Sequence, residues 1–190
     1  MKLRIVSGSL GRRFISVDKS ANDFRPTQER VRIAVAEKIK HRIPEARVLD
    51  LCAGSGAFGI EMASRGAAHV DFVDTDAARG ACIQTHVNLF NIATMCRVIR
   101  SDAQRFVLSC KETYDIVFYD PPYEDLVLSS LVPQLIRLVA GNGMLIYERK
   151  RDCNMPQDFF DKVFVGRETR EYGDTAVDFL QPPNRENTVP

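Results

Sequence analysis

Nowhere in the 190 residues does an uninterrupted apolar run approach the ~18 residues that a membrane-spanning helix needs. The first residues, Met1 to Arg13, carry basic side chains but no apolar stretch of signal-peptide length, so the cytosol is the expected compartment. Five cysteines, Cys52, Cys82, Cys96, Cys110 and Cys153, are odd in number, widely spaced and form no C-x-x-C pair. A disulfide framework is therefore disfavoured, and reduced, mostly buried thiols are expected. The three histidines, His41, His69 and His86, lie far apart without ligand spacing, so no metal site is expected. The chain shows no internal repeat, low-complexity tract or second large domain. What remains is 45% hydrophobic and 27% charged, the balance of one globular domain with a sizeable core.

The formal net charge of +1 hides an uneven distribution. Residues 1–47 hold 12 Lys/Arg against 5 Asp/Glu, or +7, and residues 48–190 hold 14 against 20, or −6. Arg4, Arg12, Arg13, Arg25, Arg30, Arg32, Lys38, Lys40 and Arg42 make the N-terminal region basic, as contacts to phosphate require. For the later members a solvated helix face is the plainer reading.

The most informative stretch is Asp120-Pro121-Pro122-Tyr123, which closes a strand-like run from Tyr114 to Tyr119. Two prolines fix φ near about −65° and remove two donors, leaving a stiff turn whose carbonyls are free to accept. An exocyclic amine on a planar base has its lone pair delocalised into the ring. Acceptors that hold its N–H bonds let the nitrogen pyramidalise, and Asp120 Oδ with the Pro121 carbonyl are candidates. Tyr123 offers a face on which a flipped base can stack, worth roughly 1–3 kcal/mol. An ordinary strand-end turn is the alternative.

Val48 to Gly59 (VLDLCAGSGAFG) reads as an apolar strand, a glycine turn and a helix start. Gly54-x-Gly56-x-x-Gly59 followed by Asp74 also satisfies the dinucleotide fingerprint. Asp50, four residues before the first glycine, tilts the reading toward S-adenosylmethionine, because it suits the ammonium of a methionine moiety better than a pyrophosphate. Cys52, Gly54, Ser55, Gly56, Thr75 and Asp120 would line that cofactor, and Asp74 would take its ribose hydroxyls. Asp102 and the Ala103 amide, after the next strand, are placed for its adenine edge, although Asp102 is equally a helix N-cap.

Residues 2–17 suggest a small β-hairpin with a glycine-rich bend. A helix capped by Thr27 follows and ends by Pro44. Strands at 47–51, 69–73, 96–100, 114–119 and 143–148 alternate with helices at 57–65, 77–90, 103–110 and 126–140, the last bent or split by Pro133. This pattern predicts an α/β fold with a mostly parallel sheet covered on both faces. Residues 162–172 and 175–180 flank Gly173-Asp174 as an antiparallel hairpin on the sheet edge, making seven strands. The expected division is a basic N-terminal extension over 1–24, a main domain over 25–181 and a frayed tail over 182–190. Gly54 and Gly56, Asp74, Asp102 and Asp120 all fall at carboxyl ends of strands, where such sheets bind ligands.

Arg4-Ile5-Val6-x-Gly8-x-x-x-Gly11-Arg12, Arg25-Pro26-Thr27-x-x-Arg30-Val31-Arg32, the Asp50 to Gly59 loop, Asp120-Pro121-Pro122-Tyr123, Tyr147-Glu148 and Tyr172-Gly173-Asp174-Thr175 together resemble the RsmD-type 16S rRNA guanine-N2 methyltransferases. The resemblance runs from residue 3 to about 180. It implies a class I, Rossmann-like methyltransferase fold, S-adenosylmethionine as cofactor, and a guanine in the P-site hairpin loop of small-subunit rRNA within a 30S particle. Asp120, Pro121, Pro122 and Tyr123 would be the catalytic set, and Arg4, Arg12, Arg13, Arg25, Thr27 and Arg30 the RNA contacts. A monomer is the default expectation. After Val31-Arg32 the family usually continues with Glu and then Ala-Leu-Phe, whereas Ile33-Ala34-Val35-Ala36 follows here, so the partner of a basic neighbour is expected to be missing. Adenine-N6 methylation, glutamine methylation of a release factor, a nicotinamide-dependent dehydrogenase and a non-catalytic RNA-docking scaffold are the competing readings.

Overall fold

The computed structural model describes residues 2–17, 26–123, 125–153, 160 and 162–183. Two short strands, β1 (Lys2–Arg4) and β2 (Phe14–Ser16), pair antiparallel as the N-terminal hairpin. Helix α1 (Pro26–Lys38) leads into β3 (Arg47–Leu51), α2 (Ala57–Ser64), β4 (His69–Asp74), α3 (Ala77–Leu89), β5 (Cys96–Arg100), α4 (Ala103–Ser109) and β6 (Tyr114–Tyr119). Two short helices, α5 (Leu126–Ser129) and α6 (Val132–Leu135), a 3-10 turn, and strands β7 (Val139–Lys150), β8 (Gly166–Tyr172) and β9 (Thr175–Gln181) complete the order.

The main sheet runs β5-β4-β3-β6-β7-β9-β8. The first five of these strands are parallel, and β9 and β8 add antiparallel at the edge. Strand order reverses between β3 and β6, so a crevice opens beyond their carboxyl ends. Alternation along each strand sorts side chains onto two faces. Val48, Val70, Ile116, Phe118 and Ile146 join α1, α2 and α3 in one buried cluster, while Leu49, Val117, Tyr119, Leu145 and Tyr147 join α4 and α6 in the other. Each large apolar side chain so buried contributes roughly 1.5–3 kcal/mol.

Several expectations shift at element ends. Thr27 is not the N-cap of α1, because the helix begins at Pro26, where a missing N–H costs nothing; Arg25 lies outside the described residues. The helix expected over 126–140 is broken into α5, α6 and the 3-10 turn, with Pro133 in the first turn of α6. Val139 and Ala140 belong instead to β7, whose register against β6 shifts between Tyr114 and Ile116. The edge hairpin starts at Gly166 rather than at residue 162, and Gln181 is still within β9.

The N-terminal hairpin is seated on α2. Leu3, Ile5, Leu10 and Ile15 are buried in the first cluster. Gly8 has φ +81°, and a Cβ there would stand 1.8 Å from the Ser64 carbonyl oxygen, so no other residue type permits the approach. That carbonyl accepts from the Ser9 amide at 2.7 Å. Beneath the hairpin lies Glu61, fully buried. It accepts from the Val6 and Ser7 amides at 2.8 and 3.1 Å, from Arg65 Nε at 2.8 Å and from Arg32 Nη1 at 3.2 Å. The expected missing partner is thus supplied from α2: Arg32 pairs with Glu61 at 3.2 Å, and with Glu29 at 3.7 Å on its own helix. Arg32 itself, 6% exposed and also donating to the Arg4 carbonyl, is part of the hairpin's seat and not a surface cation for phosphate.

Candidate active site

The glycine turn after β3 is held by the two acids that flank it. Asp74, at the end of β4, accepts from the Gly54 amide at 2.8 Å and from the Asp76 amide at 2.9 Å. Asp50 accepts from the Gly59 amide in the first turn of α2 at 2.9 Å. Cys52 and Gly56 both adopt positive φ, 67° and 71°. At Gly56 the crowding is as decisive as the φ, since a Cβ would stand 2.8 Å from Ile83 Cγ1. At Gly54 the same test meets only the Cys52 carbonyl oxygen at 3.9 Å, so the outer face of the turn is open. Ser55 lies at the tip, its Oγ 3.3 Å from the Ala57 amide.

Thr75 is exposed just past β4. Asp102 is exposed and acts as the N-cap of α4, accepting from the Arg105 amide at 2.8 Å, and Ala103 behind it is buried. The helix-cap reading of Asp102 is thus realised, and one carboxylate oxygen is committed to it. Cys52 sits among carboxylates. Burial and the charges of Asp74, Asp120, Asp50 and Asp125 raise its thiol pKa, so a thiolate nucleophile is disfavoured.

Register brings three acids together on one face. Asp50 lies beside Phe118, and Tyr119 beside Tyr147, so one residue further on Asp120 and Glu148 stand abreast on neighbouring strands. By strand parity Asp50, Asp120 and Glu148 share the α2 side of the sheet. Burial, and then repulsion from Glu148 and Asp50, hold the Asp120 carboxyl well above its ordinary range. Burial raises Glu148 to about 7 against the opposing hydrogen bond from Tyr123, and raises Asp50 to about 7 against the bond from Gly59. Tyr123 is half-buried, and its hydroxyl donates to Glu148 Oε1 at 3.0 Å and lies 3.1 Å from Thr175 Oγ1. The phenol is thereby tied to β7 and β9. Pro121 is buried and Pro122 exposed. Asp120 itself is half-buried and has no hydrogen-bond or ion-pair partner among the described residues.

Sequence reasoning grouped Asp50, Cys52, Gly54, Gly56, Asp74, Asp102 and Asp120 at the strand ends, and the fold does bring them to that edge. Tyr147-Glu148 carries no signal of its own in the sequence beyond the family resemblance. The parity of β7, with Tyr147 facing one cluster and its neighbour the other, places Glu148 on the same side of the sheet as Asp120. The proposed RNA contacts divide. Arg4, Arg12, Arg13 and Arg30 are exposed. Arg13 packs over the Phe90 ring at 5.5 Å, and Arg12 is held at φ 73° in the hairpin bend. Arg25 and the side chain of Thr27 lie outside the described residues.

A seven-stranded sheet in this order, with a glycine turn after β3 held by acids of β3 and β4 and an unpaired acid before a Pro-Pro turn after β6, defines a Rossmann-like class I methyltransferase. The particular kind follows from comparison. Residues 3–181 match the profile of the family described as conserved hypothetical protein 95. Ribosomal RNA small subunit methyltransferase D of Escherichia coli K12 is 33% identical over 151 residues, 77% of this chain and 71% of that protein. A putative rRNA methyltransferase, YlbH, of Bacillus subtilis is 32% identical over 181 residues, 92% and 96% of the two chains. Among solved structures, a putative methyltransferase, yhhF, from E. coli superposes with TM-score 0.83 at 26% identity, covering 97% of this chain and all of the other. The chain belongs to the RsmD family of ribosomal RNA small subunit methyltransferases. The fold extends to the T. thermophilus 16S rRNA N2 G1207 methyltransferase in complex with AdoMet and guanosine, at TM-score 0.76 and 18% identity, covering 96% of this chain and 50% of that one.

Proposed function

We propose that the chain methylates the exocyclic N2 of one guanine in 16S rRNA, in the P-site hairpin loop, with the 30S particle as substrate and S-adenosylmethionine as donor. The observation that carries this is Asp120, an unpartnered carboxylate beside the glycine turn, followed by Pro121, whose carbonyl has no partner among the described residues, and by Pro122, whose carbonyl is instead taken by the Asp125 amide at 3.0 Å. The open outer face at Gly54, with acids on both sides of the turn, fits the cofactor. Asp50 would meet its ammonium, Asp74 its ribose, Asp102 and the Ala103 amide its adenine, and Cys52, Ser55, Gly56 and Thr75 would line it. Bound there, the cofactor supplies an electrophilic methyl group on a sulfonium.

The chain's own part is positioning. Asp120 and the Pro121 carbonyl hold the two N–H bonds of the amine so that its lone pair is released toward the methyl group, and Tyr123 stacks on the flipped base. Orientation of this kind accounts for roughly 7–11 kcal/mol of a barrier without a covalent enzyme intermediate. Asp120 is also placed to take the proton that N2 loses. Arg4, Arg12, Arg13, Arg25, Thr27 and Arg30 would bind rRNA phosphates, which fix register without reading sequence.

The test separates chemistry from cofactor binding. Asp120→Ala is expected to abolish methyl transfer while S-adenosylmethionine affinity, measured by titration calorimetry, stays within a few-fold of the parent. Joint loss of both overturns the assignment of Asp120 to the substrate amine.

A further inference from the structure

Glu148 is not used by the reading above, yet it is among the most deeply placed acids of the chain. It is 3% exposed, on the parity of Asp120, and has no lysine or arginine within ion-pair distance among the described residues. A buried acid left without a cation costs stability, so its retention calls for a ligand or a positioning role. One oxygen, Oε1, is engaged by the Tyr123 phenol at 3.0 Å. The other makes no hydrogen bond. That leaves Oε2 available on the side of the sheet it shares with Asp120, whose carboxyl it is close enough to repel.

We infer that Glu148 is the base-reading residue of this site: Asp120 and Glu148, side by side on β6 and β7, form a two-carboxylate reader in which Glu148 accepts the N1–H of guanine while Asp120 accepts from N2. This rests on the guanine reading above and names what selects that base. The Watson–Crick edge of guanine presents two neighbouring donors, N1–H and N2–H2, to two neighbouring acceptors. Adenine presents a donor beside an N1 lone pair, which a carboxylate repels. The Tyr123 hydroxyl, 3.1 Å from Thr175 Oγ1, engages one oxygen of the Glu148 carboxylate and leaves the other for the base. Tyr123 thereby serves both the base's face and, through Glu148, its edge.

The test alters the base edge on one side and the carboxylate on the other; because 2-aminopurine also lacks O6, the comparison between parent and variant isolates the contact to N1. 2-Aminopurine keeps the 2-amino group of guanine but has an unprotonated N1, and Glu148→Gln keeps an acceptor for Tyr123 while offering an N–H2 to the site. 30S particles are reconstituted with 16S rRNA carrying either base at the target position. Initial rates of labelled methyl transfer are measured for both proteins, with thermal melting and S-adenosylmethionine affinity as controls on folding. The parent is expected to prefer guanine over 2-aminopurine on the order of 10- to 100-fold in kcat/KM, the size of one base-edge contact. Glu148→Gln is expected to erase or invert that ratio at an unchanged melting temperature. A parent that methylates both bases equally, or a variant that loses both in equal proportion, overturns the role of Glu148 and leaves the guanine reading standing. Absence of label on guanine with the parent overturns both.

Discussion

Glu61 lies under the N-terminal hairpin at the point where four donors converge, and its removal has a calculable cost. Glu61→Ala leaves Arg32, 6% exposed, with Glu29 at 3.7 Å as its remaining acid among the described residues and strips the Val6 and Ser7 amides of their acceptor. Breaking a buried ion pair from one side costs about 3–5 kcal/mol, a large part of the ~5–15 kcal/mol that holds a domain folded. At about 2–4 °C per kcal/mol for a chain of this size, the melting temperature is expected to fall by roughly 6–20 °C. Urea unfolding followed by far-UV circular dichroism is the assay, because the chain has no tryptophan to report by fluorescence. The diagnostic is the second variant. Arg32→Met removes the charge that Glu61→Ala orphans, so the double variant is expected to be more stable than the sum of the two singles by about 0.5–3 kcal/mol. A cost below about 1 kcal/mol for Glu61→Ala, or strict additivity in the double variant, refutes the reading of Glu61 as the hairpin's anchor.

Two further outcomes follow from charges on the surface and at the sheet edge. Arg12 is exposed on the hairpin bend, so Arg12→Ala is expected to weaken 30S binding and to reduce the slope of log affinity against log salt by about 1, measured by filter binding across a salt series; an unchanged slope removes Arg12 from the RNA contacts. Asp71 is fully buried on β4, and although burial alone raises its pKa, hydrogen bonds from Arg97 at 2.7 and 2.9 Å, the Tyr114 hydroxyl at 2.7 Å and His69 at 2.9 Å hold it below the usual range. Its contribution is complete above the ordinary carboxylate value of about 3.9 and is lost as pH falls through the depressed value. Arg97→Ala raises the Asp71 pKa, so the acid-unfolding midpoint is expected to move to higher pH; no movement rules out this ion pair as a source of acid stability.

The parts of the fold legible in the sequence were those fixed by local signals. Apolar runs of strand length, the Val48 to Gly59 turn and the Asp120-Pro121-Pro122 break are local, and the mostly parallel sheet they imply is observed, whereas its strand order had no local signal. Element ends were less legible. The residue before or after a proline satisfies more than one helix start, and Val139-Ala140 is as apolar as the helix it follows, so only pairing with Tyr114 assigns it to β7. Glu61 and Glu148 escaped for a related reason. Each is an acid inside an apolar element, unremarkable until register and packing supply its partners, Arg32 from 29 residues away and Tyr123 from 25. Asp120 was legible because its neighbours are prolines; Glu148 needed the sheet.

The most direct measurement of the central claim is transfer of a labelled methyl group from S-adenosylmethionine to 30S subunits lacking this modification, beside naked 16S rRNA, with the modified base mapped. Label on N2 of a single guanine in the P-site hairpin loop, stronger on 30S than on naked rRNA, is the expected result. No label on either substrate from protein that still binds the cofactor, or label on adenine N6, contradicts it.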